Sequence, residues 1–449
     1  MKLRTHLQFP HPLALLFGIA VLAALLSYVL PAGEYERRVD DATGRTVVVA
    51  GTYHDVEQSP VGPFQTALAF PRGLINAADI IVLVLLAGGA FTVLDEAGTL
   101  RRGVASLVGS SGTGLMIIPV VSLIFAVGGV IENMQEEIIA LVPVLLVLTR
   151  RAGYPPIVAV AMSVGAAMVG SAFSPINPFQ VQLAQKLAEL PLGSGGLFRT
   201  VFLLLALAWW IGMTMRYAKR TRLPVHSIEH DGDHPTMTKQ DGLTLLIVFA
   251  TFVILVWGVT SQGWGFNELS ALFLTMGIVI GLLNGMGLTG TAEAYAKGFG
   301  SMATAAVLIG FARAIFVVLE DGRIIDTLVN GLFSPLEGLP LLVSAIGLFV
   351  TQTIIHFFVP SVSGHAVLTM PVLVPLSDLL EMSRQVTVLT YQYGAGLCDM
   401  ITPTNGTLLA ILSVAGLTYA DWIRFAFRLY LGLAVLGLAS TAIAIAIGL

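Results

Sequence analysis

The stretch that decides the fold is VGSAFSPINPF at residues 169–179, where SPIN (174–177) interrupts an otherwise apolar segment. In CDMITPTNGT at residues 398–407 a similar interruption, TPTN (402–405), occurs in the second half of the chain. Proline breaks a helix, and polar backbone at membrane depth is tolerated only where it is buried in protein or lines a cavity. These stretches therefore predict two broken membrane helices, whose freed N–H and C=O groups can bind ions.

Two other pairs of segments recur at nearly the same separation as SPIN and TPTN. FTVLDEAG begins at Phe91, and the similar FVVLEDG begins at Phe316. Pro143 in ALVPVLLVL matches Pro371 in LTMPVLVPL, and these two prolines are as far apart in the chain as SPIN and TPTN. Because separate motifs keep nearly one separation, we predict that the chain consists of two related halves.

Composition indicates a membrane protein. Of the 449 residues, 56% are hydrophobic and 11% are charged, whereas about a quarter of the residues are charged in a soluble domain. The formal net charge of −4 and the absence of a basic run give no indication of nucleic-acid binding. The single cysteine, Cys398, excludes an intramolecular disulfide and a cysteine-rich metal site.

Apolar blocks of roughly 20 residues, the length that crosses a bilayer, predict nine spans and two re-entrant hairpins. The uninterrupted spans lie near residues 13–30, 74–95, 198–217, 242–260, 268–286, 302–320 and 427–448. The broken spans cover about 155–190 and 385–418, and polar clusters divide about 114–150 and 338–381 into hairpins. The first apolar stretch is too long for a signal-peptide core, so we expect an uncleaved first helix.

Basic residues give the orientation. Lys2 and Arg4 precede the first span, and basic residues at 101–102, 150–151 and 216–222 fall on the same side. The positive-inside rule makes that side cytoplasmic, together with the N-terminus and the polar linker at 221–240 with its three histidines. The loop from Ala32 to about Val61 lies outside, and its TVVVAGTY run is predicted to form a small hairpin.

This orientation predicts how the two halves of the chain lie relative to each other. Span 74–95 runs from outside to inside and span 302–320 from inside to outside, so the halves are inverted relative to each other. Inverted repeats allow inward-open and outward-open states to interchange, which is typical of a carrier. We divide the chain into a first helix with an outer loop (1–72), a first repeat (73–217), a cytoplasmic linker (218–240), two connecting helices (241–286) and a second repeat (287–449).

The polar residues of the hairpin tips and helix breaks are the candidate substrate ligands, because ionisable or polar groups at membrane depth are usually functional. The first tip, in GGVIENMQEEIIALVP, and the first break contribute Glu132, Asn133, Gln135, Glu136, Glu137 and Asn177. The second tip, in FFVPSVSGHAVLTMP, and the second break contribute Ser361, Ser363, His365, Thr404 and Asn405. The oxygens of these asparagine, serine and threonine residues also suit Na⁺.

Structural alternatives stay open for several residues. Glu136 and Glu137 also fit the first turn of a helix, where acids complement the helix dipole. His365 fits a hydrogen-bonded packing role equally well. For Arg313, in the middle of a span, we favour pairing with an acid over the alternative of binding substrate. We expect the acidic pairs at 95–96 and 320–321 to mark helix ends.

At these motifs the chain resembles the YfcC-like branch of the C4-dicarboxylate anaerobic carrier family, in the ion transporter superfamily. The resemblance covers nearly the whole chain, including LPAGEYERR at 30–38. It implies an all-α polytopic inverted-repeat transporter of the inner (plasma) membrane, in contact with lipid, often a homodimer, with elevator-type movement. It implies no cofactor, but Na⁺ or H⁺ as coupling ion and a small-molecule substrate between the tips. The Na⁺ ligands that it implies are Asn133, Ser171, Ser174, Ser363, Asp399 and Thr402.

The tips depart from the family pattern. Dicarboxylate carriers have Ser-Asn-Thr at each tip, whereas ENM (132–134) and SVS (361–363) stand here. The three glutamates of the first tip would repel a dicarboxylate, and neither motif contains a lysine or arginine to offset them. They suit an ammonium group, a coupling proton or Na⁺. We therefore favour an amino acid or short peptide as substrate, with a C4-dicarboxylate as the alternative; symport and exchange both stay open.

Two other function classes fit the sequence less well. An ion channel predicts a continuous polar pore, whereas the polar residues cluster at two sites at membrane depth. An intramembrane enzyme would need a motif such as HExxH or Gly-x-Ser-x-Gly, and neither occurs. We expect Asn177→Ala or Asn405→Ala to abolish transport while leaving folded protein in the membrane.

Overall fold

The structure is a computed structural model that describes residues 11–40, 46–99, 102, 114–222, 238–262, 264–336 and 338–449. Lys2, Arg4, Arg101 and most of the polar linker at 221–240 lie outside these residues, and so do the predictions made for them. The described part of the chain is predominantly helical, with four short strands between the first two helices.

The helices are, in chain order, α1 Pro12–Val29, α2 Pro63–Asn76, α3 Ala78–Glu96, α4 Ile117–Glu132, α5 Glu136–Arg151, α6 Pro156–Ala172, α7 Leu183–Leu187, α8 Gly196–Arg220, α9 Lys239–Gln262, α10 Phe266–Leu283, α11 Gly287–Asp321, α12 Ile325–Phe333, α13 Leu341–Phe358, α14 Val362–Leu379, α15 Arg384–Cys398, α16 Gly406–Val414 and α17 Tyr419–Ile447. A π-helical turn, Pro178–Gln182, precedes α7.

Local sequence explains where several helices begin. α17 begins at a capping box, in which the Thr418 hydroxyl accepts the N–H of Asp421 (3.1 Å) and the Asp421 carboxylate accepts the N–H of Thr418 (3.2 Å). α15 begins after Ser383, whose hydroxyl accepts the N–H of Val386 (3.2 Å). α1 has proline in its first turn, where the missing N–H costs no intrahelical hydrogen bond.

Two helical hairpins and two broken helices occupy the predicted places. A connection of three residues (133–135) joins α4 to α5, and another (359–361) joins α13 to α14. After each hairpin comes an interrupted helix, broken at 173–177 between α6 and the π-helical turn, and at 399–405 between α15 and α16. The same order of elements therefore occurs in both halves of the chain.

Eight of the described helices are long and apolar enough to cross a membrane: Ala78–Glu96, Gly114–Ile131, Gly196–Arg220, Phe266–Leu283, Gly287–Asp321, Leu341–Phe358, Val362–Leu379 and Tyr419–Ile447. The predicted all-α multi-pass membrane fold is confirmed. Three of the eight are arms of the predicted hairpins, and length and composition do not separate a spanning arm from a re-entrant one. Re-entry of the hairpins stays a prediction.

The helix bounds differ from the predicted spans in three places. α11 begins at Gly287, well before the predicted start at 302, because its first turns carry polar residues that mask the helix in a hydropathy pattern. The predicted span 74–95 covers α3 but misses α2, a separate helix with one apolar face. The sequence also does not predict the short helix α12.

α2 and α3 together run antiparallel to α11. Arg72 of α2 pairs with Asp321 at the end of α11 (2.5 Å), and Glu96 at the end of α3 pairs with Lys297 (2.7 Å). Lys297 lies as many residues after Arg72 as Phe316 lies after Phe91, and the same number of residues separates Asp321 from Glu96. Each residue of one ion pair therefore corresponds, by the offset of the repeat, to a residue of the other ion pair. The same relation holds in an isologous contact, in which two equivalent surfaces pair with each other.

The loop after α1 contains two small antiparallel sheets. β1 (Gly33–Glu34) pairs with β4 (His54–Asp55), and β2 (Arg37–Val39) pairs with β3 (Thr46–Val48). TVVVAGTY therefore does not form the predicted hairpin by itself but supplies one strand that pairs with an earlier segment of the loop. Asp326 of α12 fastens the loop by accepting the N–H of Tyr35 (2.9 Å) and a guanidinium hydrogen of Arg37 (3.1 Å). Burial raises the pKa of Asp326 in spite of these donors.

Candidate functional site

Both hairpin tips, the second break and one face of α11 line a cavity of about 560 Å³. Small-molecule sites typically have volumes of about 300–1,000 Å³. Three helices begin at the wall of this cavity: α5 at Glu136, α14 at Val362 and α16 at Gly406. The N–H groups of a first helical turn have no intrahelical partners, so these helix starts favour anionic groups.

The first break holds the first tip through side-chain hydrogen bonds. Asn177 donates from Nδ2 to the carbonyl oxygen of Gly129 (2.8 Å), and its Oδ1 accepts two N–H groups of the turn that follows (both 2.9 Å). Ser174 Oγ donates to the carbonyl oxygen of Val130 (2.9 Å) and accepts the N–H of Asn177 (2.8 Å). Both side chains are fully buried, so they position the tip from behind.

The first tip itself turns at Asn133, which has a left-handed backbone (φ 58°) that asparagine tolerates better than most residues. Its Oδ1 accepts a hydrogen bond from Ser171. Just before the tip, α4 crosses α6 with backbones in contact, because Gly129 and Gly170 leave no space for a Cβ atom at the crossing. Small residues allow this close approach, which is common between membrane helices.

Asp399 joins the second break to the first tip. Its Oδ1 accepts from Asn405 Nδ2 (3.0 Å) and lies 2.9 Å from His356 Nε2, and its Oδ2 accepts from Gln135 Nε2 (3.1 Å). Asn405 also caps α16, since its Oδ1 accepts the N–H of Leu408 (2.9 Å). One carboxylate thus ties together residues from both halves of the chain.

Gly406 brings the start of α16 against α11. A Cβ atom at this position would lie 2.8 Å from the Cα of Ile309 and 3.0 Å from the Cβ of Ala312. Arg313 follows directly on α11 and lines the same cavity. The N-terminus of α16 and Arg313 therefore belong to the lining of one cavity.

The structure gathers most of the predicted site residues around this cavity. Nine line it: Asn133, Gln135, Glu136, Glu137, Ser361, Ser363, Asp399, Thr404 and Asn405. Five lie behind the lining and are buried: Ser171, Ser174, Asn177, His365 and Thr402. The side chain of Glu132 is outside the described part of the structure. Direct contact of any of these residues with substrate or Na⁺ stays a prediction.

Glu136 and Glu137 combine the two roles that the sequence left open. Both lie in the first turn of α5, and both line the cavity. Thr407 Oγ1 donates to Glu136 Oε1 (3.3 Å) across the contact with α16. Glu137 Oε2 is buried and has no hydrogen-bond partner among the described residues. A buried carboxylate oxygen without a partner is costly, which makes it available to a cationic ligand.

Arg313 corrects the sequence interpretation. We expected this arginine to pair with an acid, but within the described residues it has no ion pair and instead lies over the ring of Phe316, 4.8 Å from the centroid. Neither tip motif contains a lysine or arginine, but the exposed Arg313 side chain lines the cavity with both tips. Sequence motifs did not indicate this because α11 is far from either tip in the chain.

A second cavity of about 520 Å³ adjoins the first on the side of the β-strand loop. The two cavities share Arg313, Phe316, Val359, Ser361 and Ser363. These five residues lie between the central cavity and the loop that we predict to be outside.

His356 is a buried residue of the site that sequence reasoning missed. It lies in the last turn of α13 and contacts both Asp399 and His365. The signal was present, since a histidine stands in the apolar run TIIHFF just before the second tip. In the described part of the chain, no group of three or more His, Cys, Asp or Glu residues has the arrangement of a metal site.

Comparison with known proteins gives concordant results. The family model of the C4-dicarboxylate anaerobic carrier matches residues 9–446. The chain is 33% identical to the Escherichia coli protein named "Putative basic amino acid antiporter YfcC" over 92% of each chain. It is 28% identical to an uncharacterized protein of Haemophilus influenzae over 94% of each chain.

Two solved transporter structures align with nearly the full chain at low similarity. The Alcanivorax borkumensis YdaH transporter is 18% identical, with 98% of this chain and 99% of that chain covered and a TM-score of 0.43. Neisseria gonorrhoeae MtrF, described as an antimetabolite efflux pump, is 16% identical, with coverages of 97% and 95% and a TM-score of 0.43.

The family match extends over almost the whole chain, and the helices that line the cavity all lie within it. Its relatives are transport proteins and not enzymes. The chain therefore belongs to the C4-dicarboxylate anaerobic carrier family and is a multi-pass membrane transport protein.

Proposed function

We propose that this protein is a secondary active transporter of an amino acid with a cationic side chain, such as lysine or arginine. The observation that carries the proposal is the presence of Arg313, Glu136 and Glu137 around one cavity of about 560 Å³. An amino acid brings both a carboxylate and an ammonium group out of water, and each needs a partner of opposite charge.

The carboxylate end of the substrate binds at Arg313. A planar guanidinium can donate two parallel hydrogen bonds to a carboxylate, which gives both affinity and orientation. Arg313 has no competing ion pair among the described residues, and the N-terminus of α16 lines the same cavity at Gly406. Both features favour an anionic group at this end of the cavity.

The ammonium groups of the substrate bind at Glu136 and Glu137. The unpartnered Glu137 Oε2 needs a donor or a cation, and an ammonium group supplies both. The cavity lining contains four acidic residues, Asp79, Glu136, Glu137 and Asp399, and one arginine, so an excess of negative charge favours a substrate with net positive charge over a neutral one. The name of the Escherichia coli relative, which refers to basic amino acids, agrees with this charge argument.

Transport proceeds by interchange of two access states of an inverted repeat, with elevator-type movement of the tips and breaks. The two ion pairs support the inversion, because they join the ends of helices that correspond to each other in the two halves and run antiparallel. The cavity of about 520 Å³ beside the β-strand loop provides the access route from outside. Na⁺ at the oxygens near Asn133 or Ser363 remains a candidate coupling ion.

The cellular setting is part of the same proposal. The protein resides in the inner membrane with its N-terminus in the cytoplasm, surrounded by lipid. It functions as a homodimer, as the family resemblance implies.

A C4-dicarboxylate is the second candidate substrate, and the family match favours it. Arg313 and the three helix starts at the cavity wall would receive the carboxylates. Glu136 and Glu137 would then have to be protonated or bound to a cation, since two ionised carboxylates would repel the substrate.

Counterflow in proteoliposomes separates the candidates. Vesicles are loaded with lysine, arginine, a lysine dipeptide, glutamate or succinate, and uptake of the labelled solute is measured with Na⁺ or with choline in its place. We expect saturable exchange of lysine and arginine that protein-free vesicles do not show. Exchange restricted to succinate would refute the amino acid proposal and support the dicarboxylate alternative.

A further inference from the structure

One face of α11 carries two exposed charged side chains along the access route. Between Phe311 and Glu320 the exposed side chains are Arg313 and Glu320, which lie two helical turns apart, roughly 10 Å along the axis. Phe316 stands between them on the same face, and all three line the cavity of about 520 Å³ beside the β-strand loop, the outer cavity. Arg313 and Phe316 also line the central cavity of about 560 Å³, whereas Glu320 does not. This face of α11 therefore extends from the outer cavity into the central one.

The outer cavity contains as many acidic as basic residues. Its charged lining residues are Glu34, Arg37, Arg313, Glu320, Arg323 and Asp326. Four of them form two ion pairs, Arg37 with Asp326 (3.0 Å) and Arg323 with Glu34 (3.5 Å). The other two, one cation and one anion, form no ion pair among the described residues. The outer cavity therefore offers a ligand one guanidinium and one carboxylate.

Neither of these two groups is engaged by a neighbouring charge. Arg72 interacts electrostatically with Glu320, but its guanidinium donates both of its hydrogen bonds to the adjacent Asp321 (2.5 and 3.1 Å). The guanidinium of Arg313 lies over the Phe316 ring, 4.8 Å from the centroid, and one face of an aromatic ring does not replace a carboxylate partner. Both charged groups can therefore bind a ligand without breaking an ion pair of the described residues.

The separation of the two groups selects the kind of ligand that joins them. The α-ammonium and the carboxylate of an amino acid are attached to one carbon atom, so they span two helical turns poorly. A cation at the end of a long side chain lies farther from the carboxylate, and an apolar stem separates the two charges. The Phe316 ring offers an apolar surface to such a stem, because it stands between Arg313 and Glu320 on the same face.

We propose that Arg313 and Glu320 form an outer binding site, which a cationic amino acid occupies before it enters the central cavity. The inference rests on the proposed transport of lysine and arginine. The substrate carboxylate binds Arg313, its side-chain cation binds Glu320, and its stem packs against Phe316. Because Arg313 lines both cavities, the substrate moves inward by exchanging Glu320 for Glu136 and Glu137 while its carboxylate stays at the same guanidinium. The outer and central sites are therefore occupied in turn.

The test measures the KM for labelled lysine from each side of the membrane, in vesicles preloaded with unlabelled lysine. Right-side-out vesicles present the outer cavity to the added lysine, and inside-out vesicles present the cytoplasmic side. Glu320→Gln should raise the KM about tenfold in right-side-out vesicles, through loss of a charged hydrogen bond, and leave it unchanged in inside-out vesicles. Arg313→Gln should raise the KM in both, because this residue lines both cavities. Glu293→Gln changes an exposed residue of α11 that lines neither cavity and should behave as the wild type.

A neutral analogue tests whether the effect comes from the side-chain ammonium. Norleucine has the carboxylate and the stem of lysine but no side-chain charge, and its Ki is measured as a competitor of lysine uptake in right-side-out vesicles. Glu320→Gln should leave this Ki unchanged, as in a double-mutant cycle. An unchanged lysine KM in right-side-out vesicles, an equal rise in both vesicle types, or an equal rise in the Ki of norleucine would overturn the proposal. Absence of lysine counterflow by the wild type in both vesicle types would instead refute the proposed function.

Discussion

Arg313→Gln is expected to weaken binding of lysine and arginine while the protein stays folded. The side chain is exposed to the cavity, has no ion pair among the described residues and contacts mainly the Phe316 ring. Glutamine keeps a polar group of intermediate length but removes the charge. The substitution should therefore weaken binding of the substrate carboxylate and leave the stability of α11 unchanged.

The expected magnitude follows from the exposure of the guanidinium. A hydrogen bond to a charged partner contributes about 1.5–3 kcal/mol net, and because Arg313 is not fully desolvated, we take this range for the whole interaction. Since about 1.4 kcal/mol corresponds to a factor of ten, the Kd for lysine should rise roughly 10- to 100-fold.

A ligand comparison isolates the interaction. Kd values are measured by calorimetry for lysine and for lysinamide, in which a neutral amide replaces the carboxylate. We expect the wild type to prefer lysine by the same factor, and Arg313→Gln to bind both ligands nearly equally, as in a double-mutant cycle. Arg428→Gln is the matched control, because Arg428 is exposed on α17 and does not line the cavity. If Arg313→Gln retained the preference for lysine, the carboxylate would bind elsewhere.

Three further predictions concern the wall, the packing and the periphery of the site. Glu137→Gln should raise the KM for lysine counterflow about tenfold or more through loss of a charged hydrogen bond, and an unchanged KM would place the ammonium elsewhere. Gly406→Ala should lower the melting temperature and transport together, because overpacking costs about 1–3 kcal/mol, whereas Gly18→Ala, with open space around it, should do neither. The hydrogen bond from Arg102 holds the pKa of Asp241 well below its usual range, so its contribution to stability is present above about pH 4 and is lost as the pH falls. Asp241→Asn should therefore lower the melting temperature at pH 7, with a difference that shrinks on acidification; a constant difference would argue against the ion pair.

The structure gives a different reason for the loss of transport that we predict for Asn177→Ala. Asn177 does not line the cavity and instead bonds the first tip and the turn after the break. Loss of transport in this variant would thus reflect a misplaced tip, whereas Asn405→Ala would act both on the cap of α16 and on Asp399. Measuring the melting temperature beside transport distinguishes positioning from binding.

Much of the architecture was accessible from local sequence. A polar cluster or an Asn-Pro pair inside an apolar segment cannot remain in a regular lipid-facing helix, so tips and breaks can be predicted from local sequence. SPIN and TPTN stand as far apart as Pro143 and Pro371, and this constant separation predicted two related halves. α2 and the first turns of α11 were missed because helices with polar residues on one face do not form an apolar block.

The sequence by itself determined the membrane class, the two hairpins, the two breaks and most of the polar residues that line the cavity, because each depends on contrast between neighbouring residues. Only the tertiary structure decided the charge balance of the site. Arg313 lines the cavity with both tips although it lies far from them in the chain, and Asp399 reaches His356 because the second break packs against the second hairpin. Such contacts depend on which helix faces meet, and that is settled by close packing between segments distant in the chain.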